Sequence, residues 1–219
     1  MPAFEQARAQ GARAVELDVR TCAGGEVVVF HDVALERMTG GRDTRPVHAV
    51  PLSELRRLDL GGGARVPELA EVLAWAVRHG VGVNVEMKHD VPGRARLARA
   101  TARAVQASGA DVVLSSFDPL LLAFGAAIGP SIPRALLTHE GQACWADALQ
   151  RAVRPPLVGA LHVERTQAGA SLARYARRGL RLGAWTVNDP DEVRRLVRLG
   201  VASIITDRPG EILGALTRS

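Results

Sequence analysis

Glu16-Leu17-Asp18 sets two carboxylates two residues apart, and Phe30-His31-Asp32 brings an imidazole shortly after them. Alternate residues of a strand face one side, so Glu16 and Asp18 are expected to project together toward one point. The run Val27 to Phe30 reads as a second short strand. Ala23-Gly24-Gly25-Glu26 reads as the turn that folds it back beside the first, delivering His31 to the strand end. Asn84-Val85-Glu86-Met87-Lys88 repeats the same spacing with a carboxylate and the chain's only lysine. Glu16, Asp18 and Glu86, on two neighbouring strands, make an all-oxygen donor set suited to a hard divalent cation, Mg²⁺ or Ca²⁺. Lys88 beside them can neutralise an oxyanion of a substrate. The competing expectation is purely structural: a buried network of lysine and carboxylates that only holds the strands together.

The elements that must carry these residues follow from the hydrophobic pattern. Short β-branched runs alternate with Ala, Leu and Arg-rich segments of helical period along the whole chain, which predicts parallel strands joined by helices. Strands are expected at 14–19, 83–87, 111–116, 134–138, 158–163, 182–187 and 203–206. Helices are expected at 2–10, 67–79, 94–108, 119–127, 143–152, 168–178 and 190–199, several of them stopped by a glycine such as Gly80, Gly109, Gly179 or Gly200. An open doubly wound sheet would give a similar rhythm, but it requires a phosphate-binding glycine turn after its first strand. Gly61-Gly62-Gly63 does not stand in that position and reads as a loop.

A TIM-type (β/α)8 barrel is therefore expected. In that architecture chemistry sits at the C-terminal strand ends, where Asp18, Glu86, Lys88, Ser115, Ser116, His162, Trp185, Asn188, Thr206 and Asp207 collect. Seven barrel strands are countable where closure needs eight, and the first helix starts at Met1-Pro2 with no strand before it. The first strand of the barrel is thus expected to be missing, with unpaired backbone on the two strands that flank the gap.

Bulk properties narrow the function. With 219 residues, 47% of them hydrophobic, the chain can bury a full core, and residues 1–219 are expected to form one domain. The net charge of +5 and a pI near 10.4 invite a nucleic-acid reading. The arginines, however, are scattered through helical stretches, and aromatics make up only 4% of residues, which leaves few rings for bases to stack on. No nucleic acid is expected as a partner, and an anionic small molecule suits the charge equally well. No run of apolar residues is long enough to span a membrane, and no signal peptide is legible, so the chain reads as cytoplasmic. Cys22 and Cys144 lack metal-ligand spacing and are expected to stay reduced. The oligomeric state is not legible.

Taken in order, the motifs closely resemble the glycerophosphodiester phosphodiesterase family. The match runs through Gly11-Ala12, Glu16-Leu17-Asp18-Val19, and Val28-Val29-Phe30-His31-Asp32 with Leu35, Arg37, Thr39 and Gly40. It continues with Val85-Glu86-Met87-Lys88, Ser116-Phe117, Trp185-Thr186-Val187-Asn188 and Ile204-Ile205-Thr206-Asp207-Arg208-Pro209. The resemblance implies a TIM barrel with a small inserted segment after the second strand, here residues 40–63, capping the mouth. It implies a divalent metal on Glu16, Asp18 and Glu86 that polarises a phosphoryl oxygen, and it makes His31 one of two histidines that act as general acid and base. In such enzymes the neighbouring glycerol hydroxyl attacks phosphorus, and water opens the resulting cyclic phosphate to give an alcohol and glycerol phosphate. Lys88 would then contact phosphate, and Trp185 would wall the pocket against the carbon skeleton.

The chain departs from the family pattern at its start. The family's initial strand ending in His-Arg-Gly, and the Glu-Asn-Thr after it, have no counterpart before Met1, so a second histidine, an arginine and one metal carboxylate are expected to be absent. His48, His79, His89 and His139 fall in loops or helix ends and are expected at solvent, whereas His162 faces the mouth and is the remaining candidate to touch substrate. Two other functions stay open at this point. One is a catalytically impaired barrel that binds phosphorylated glycerol compounds or a partner protein. The other, a metal-dependent lyase or aldolase, rests on fold alone.

Overall fold

The computed structural model describes residues 1–140, 157–169 and 179–217. Among these residues eight strands form one sheet: β1 (Ala14–Thr21), β2 (Val27–Val29), β3 (Gly82–Met87), β4 (Val112–Ser116), β5 (Arg134–Thr138), β6 (Ala160–Glu164), β7 (Arg181–Trp185) and β8 (Ser203–Ile204). Their order is β2-β1-β3-β4-β5-β6-β7-β8. Every neighbouring pair is parallel except β1 and β2, which form the expected antiparallel hairpin with Val19 opposite Val29 and Thr21 opposite Val27. Gly25, at φ +96°, makes the turn between them, a backbone conformation that a side chain would strain. Among the described residues no ladder joins β8 to β1, and β8 stands at the far edge of the sheet.

Helices α1 (Pro2–Ala9), α2 (Leu52–Leu55), α3 (Leu69–His79), α4 (Arg94–Ser108), α5 (Pro119–Ile128), α6 (Pro190–Arg198) and α7 (Pro209–Thr217) flank the sheet. Their ends carry the signals expected of them. A capping box between Glu68 and Glu71 opens α3, and the Asp118 and Asp189 side chains cap α5 and α6. Gly80 ends α3 in the left-handed region at φ +63°. Helix α7 was not expected from the hydrophobic pattern, although Pro209 at its first position is a usable start signal. The helices expected at 143–152 and 168–178 fall wholly or largely outside the described residues, as does Cys144.

Two apolar clusters explain why the elements pack as they do. The larger fills the space between sheet and helices with outward-facing strand residues such as Val15, Leu17, Val83, Val85 and Leu182, met by Leu69, Leu73, Leu97 and Leu196. The smaller lies beside β2 and joins Cys22, Val28 and Phe30 to Leu35, Val47, Val50, Leu55 and Val66, so the 40–63 region has its own apolar anchor. Cys22 is free and buried. Glu16, Asp18, Asn84 and Glu86 occupy the opposite parity of β1 and β3, which leaves them to the inner face. None of the described helices is long and apolar enough to cross a membrane.

Candidate active site

Parallel pairing of β1 with β3 sets Asp18 opposite Glu86 and Glu16 opposite Asn84. One carboxylate oxygen from each of Glu16, Asp18 and Glu86 lies within 4.8 Å of the others. Lys88 reaches into the group, its Nζ 2.8 Å from Asp18 Oδ1 and 2.8 Å from Glu86 Oε1. The charge sum of the cluster is unfavourable. Burial, reinforced by Asp18 and Glu86, pushes the Glu16 carboxyl up to about 8 against the pull of Lys88. Burial also raises Glu86, outweighing its lysine partner. Burial works to lower the Lys88 ammonium, but the two carboxylates overcome it and hold the group above its ordinary value.

Three crowded carboxylates with one ammonium among them are short of positive charge. Glu86 Oε1, moreover, is buried with no hydrogen-bond donor in good alignment among the described residues, although Lys88 is close. An all-oxygen donor set in that condition fits a hard divalent cation, which would displace the proton of Glu16 and supply the missing charge.

His31 follows β2 on the loop that the hairpin delivers to the same end of the sheet. Its imidazole is exposed, with Nδ1 2.8 Å from Asp32 Oδ1. Asp32 in turn accepts from Arg37 Nε at 2.6 Å and Nη2 at 3.1 Å. Those bonds hold the Asp32 carboxyl below its ordinary range against burial. A charged carboxylate on Nδ1 leaves Nε2 as the nitrogen free for a reacting proton. His31 is near enough to the acidic cluster that a positive charge on it favours ionisation of Glu86. The structure therefore brings together five of the seven residues singled out from the sequence: Glu16, Asp18, Glu86, Lys88 and His31.

The other two lie across the sheet and have a different character. His162 on β6 is only 8% exposed. Burial lowers its pKa to about 4, which makes it a neutral imidazole, and its Nδ1 has no partner among the described residues. It occupies the room left by Gly183 on β7, where an added Cβ would come within 2.6 Å of the ring. The His162 carbonyl accepts from Trp185 Nε1 at 3.2 Å and so fixes the indole. Trp185 packs edge-on against Phe117, with ring centroids 5.6 Å apart, and Phe117 also meets His89 and His139. Phe117, Asp32 and Arg37 each lie in motifs legible in the sequence; the Asp32–Arg37 pair is local, five residues apart, whereas the ring contacts of Phe117 join segments that linear spacing does not bring together. His48, His79 and His89 are exposed as expected, whereas His139 is half-buried against Phe117.

Comparison with known proteins points the same way. The model of the glycerophosphoryl diester phosphodiesterase family matches residues 1–211. The chain is 31% identical to YqiK, an uncharacterized protein of Bacillus subtilis, across 95% of this chain and 88% of that protein. It is 27% identical to a glycerophosphodiester phosphodiesterase of Caldanaerobacter subterraneus, covering 99% of this chain and 90% of the relative. Among solved structures, a glycerophosphodiester phosphodiesterase from Thermotoga maritima superposes with a TM-score of 0.75 at 26% identity, covering 97% of this chain and 89% of that one. A phosphodiesterase of Oleispira antarctica, solved with the product sn-glycerol-3-phosphate, superposes at 0.83 over 98% of this chain and 89% of its own. At 23% identity, that last likeness is one of fold.

Proposed function

The chain belongs to the glycerophosphoryl diester phosphodiesterase family, and from that membership we propose metal-assisted hydrolysis of glycerophosphodiesters to an alcohol and glycerol phosphate. The observation that carries this reading is the convergence of Glu16, Asp18 and Glu86 with Lys88 at one strand end, beside His31. The three carboxylates would hold the cation, Mg²⁺ or Ca²⁺. When bound, it supplies Lewis-acid polarisation of a phosphoryl oxygen and neutralises developing charge.

The remaining roles belong to the chain's own groups. Lys88, an ammonium held charged by Asp18 and Glu86, would bind a phosphate oxygen. His31, with Nδ1 engaged by Asp32, offers Nε2 to take a proton from the attacking hydroxyl or return one to the departing alcohol oxygen. Trp185 presents its ring to the carbon skeleton of the substrate. His162 supports it from below through the carbonyl that holds the indole nitrogen. Residues 40–63, whose apolar cluster includes Phe30 immediately before His31, would cap the mouth, and residues 1–219 are read as one domain.

The second reading is a barrel that binds phosphorylated glycerol compounds, or a partner protein, without turning the ligand over. It is favoured by the open sheet, in which no ladder joins the edge strand β8 to β1 or β2 among the described residues. One experiment separates the two. The purified chain is incubated with a glycerophosphodiester and Mg²⁺ or Ca²⁺, and glycerol phosphate is followed by phosphorus NMR. Release that stops on chelation supports hydrolysis, while calorimetric binding of the diester with no release supports the binding protein.

A further inference from the structure

We infer that Arg20 is a positioning residue of this site, a buried guanidinium that buckles the His31 loop to the segment following Lys88. Arg20 is 4% exposed, and an arginine removed from water is retained only where its donors find partners. Both partners come from segments that carry site residues. Nε and Nη2 donate to the His31 carbonyl at 3.0 and 2.9 Å. Nη2 also meets the Asp90 carboxylate at 3.0 and 2.9 Å, and Nη1 donates to the Asp90 carbonyl at 3.3 Å. Burial opposes ionisation of Asp90, but the bond to Arg20 wins and holds its carboxyl below the ordinary range. Arg20 lies two residues past Asp18, and Asp90 two residues past Lys88. One planar fork therefore spans the β1 end, the histidine loop and the lysine segment.

The need for such a clamp is local. The His31 side chain is exposed on a loop beyond the end of β2, and among the described residues its imidazole bonds only to the neighbouring Asp32. The neighbouring backbone is tied on both sides, the Phe30 amide donating to the Asp18 carbonyl at 2.9 Å and the Val47 amide to the Val33 carbonyl at 2.9 Å, whereas Arg20 grips the carbonyl of His31 itself. A displacement of about 1 Å at a reacting group costs roughly a hundredfold in rate, so a carbonyl held bidentately next to the imidazole bears directly on proton transfer. Lysine could keep the charge opposite Asp90 but could not fork onto the His31 carbonyl while doing so.

This inference rests on His31 as the proton-transfer residue, and the test separates the two claims. Arg20→Lys and Asp90→Asn are each made in the wild-type and the His31→Ala backgrounds. In the wild-type background each should lower kcat at least about tenfold with KM changed by less than about threefold. In the His31→Ala background each should lower it by less than about twofold, the non-additivity of residues that act as a unit. The His31 ring signals in NMR should shift and broaden in both variants while the spectrum of the carboxylate strands persists. Equal losses in the two backgrounds, or unchanged His31 signals, overturn the inference. If the wild-type chain releases no glycerol phosphate, the functional reading fails and the NMR result alone decides the positioning role. If Arg20→Lys does not fold, Asp90→Asn carries the test, since it keeps the buried arginine and both carbonyl bonds while weakening the anchor.

Discussion

The β1–β3 side of the barrel mouth and its β6–β7 side both bury titratable groups, with opposite results. On the first, three carboxylates and a lysine are pressed together: Asp18 and Glu86 hold the Lys88 ammonium charged, while burial and its neighbours push Glu16 toward its protonated form. On the second, His162 is buried alone, gives up its charge, and fills the space over Gly183. Burial without full compensation is expensive, so it is informative where it persists. A structural histidine becomes neutral and packs, whereas a binding site stays crowded because a ligand is meant to complete it. By that standard, the proposed chemistry would belong to β1, β3 and the His31 loop, and the β6–β7 side would shape the wall.

The sharpest way to break this division is to truncate a histidine on each side. His31→Ala should cost at least about a hundredfold in kcat, the lower end of what general acid or base help contributes. His162→Gln should stay within about tenfold and act mainly on KM, because the carbonyl that holds Trp185 survives the change. Steady-state kinetics of the two variants side by side measures the contrast, and a larger loss from His162→Gln would reverse the assignment.

Stability against pH should show the same opposition in the metal-free protein. His162 binds its proton less readily folded than unfolded, with a pKa of about 4 against an ordinary 6.5. Its contribution, on the order of 3 kcal/mol, is therefore full above about pH 6.5 and is lost as pH falls toward 4. Glu16, raised to about 8, works in the other sense: its contribution is full below its ordinary 4.5 and is lost as pH rises through 8. Denaturant melts in chelator should flatten on the acid side for His162→Gln and on the alkaline side for Glu16→Gln. Swapped effects would mean that the two environments have been misread.

How much of this was legible beforehand follows the same physical line. The strands and the shared face of Glu16, Asp18 and Glu86 were readable because period-two alternation is a local rule and the alternation of strands with helices predicts a parallel sheet. Arg134–Thr138 and Arg94–Ser108 were bounded correctly from pattern and capping alone. The burial of His162 was not readable, because it depends on Gly183 across a strand pair and on nothing adjacent in sequence. Arg20 was equally hidden. It looks like one more surface arginine among many, and only the return of the chain at His31 and Asp90 turns it inward. What sequence order misses is the meeting of distant segments, and the supporting contacts of a site are made almost entirely of such meetings.

The smallest effect tests whether the crowding on the β1–β3 side is held for a ligand. Glu86→Gln removes one negative charge while keeping shape and a hydrogen-bonding group. In the metal-free protein it should leave stability unchanged or slightly higher, since burial already raises the Glu86 carboxyl and its replacement relieves repulsion with Asp18. Toward Mg²⁺ or Ca²⁺ it should act in the opposite direction, weakening apparent affinity by about tenfold, or roughly 1.4 kcal/mol. Calorimetric titration together with thermal melts reads both quantities on one preparation. A carboxylate kept only for structure would lose stability and leave the metal titration unmoved. A carboxylate kept for the cation loses affinity while the fold gains, because the strain it caused was tolerated for the sake of binding.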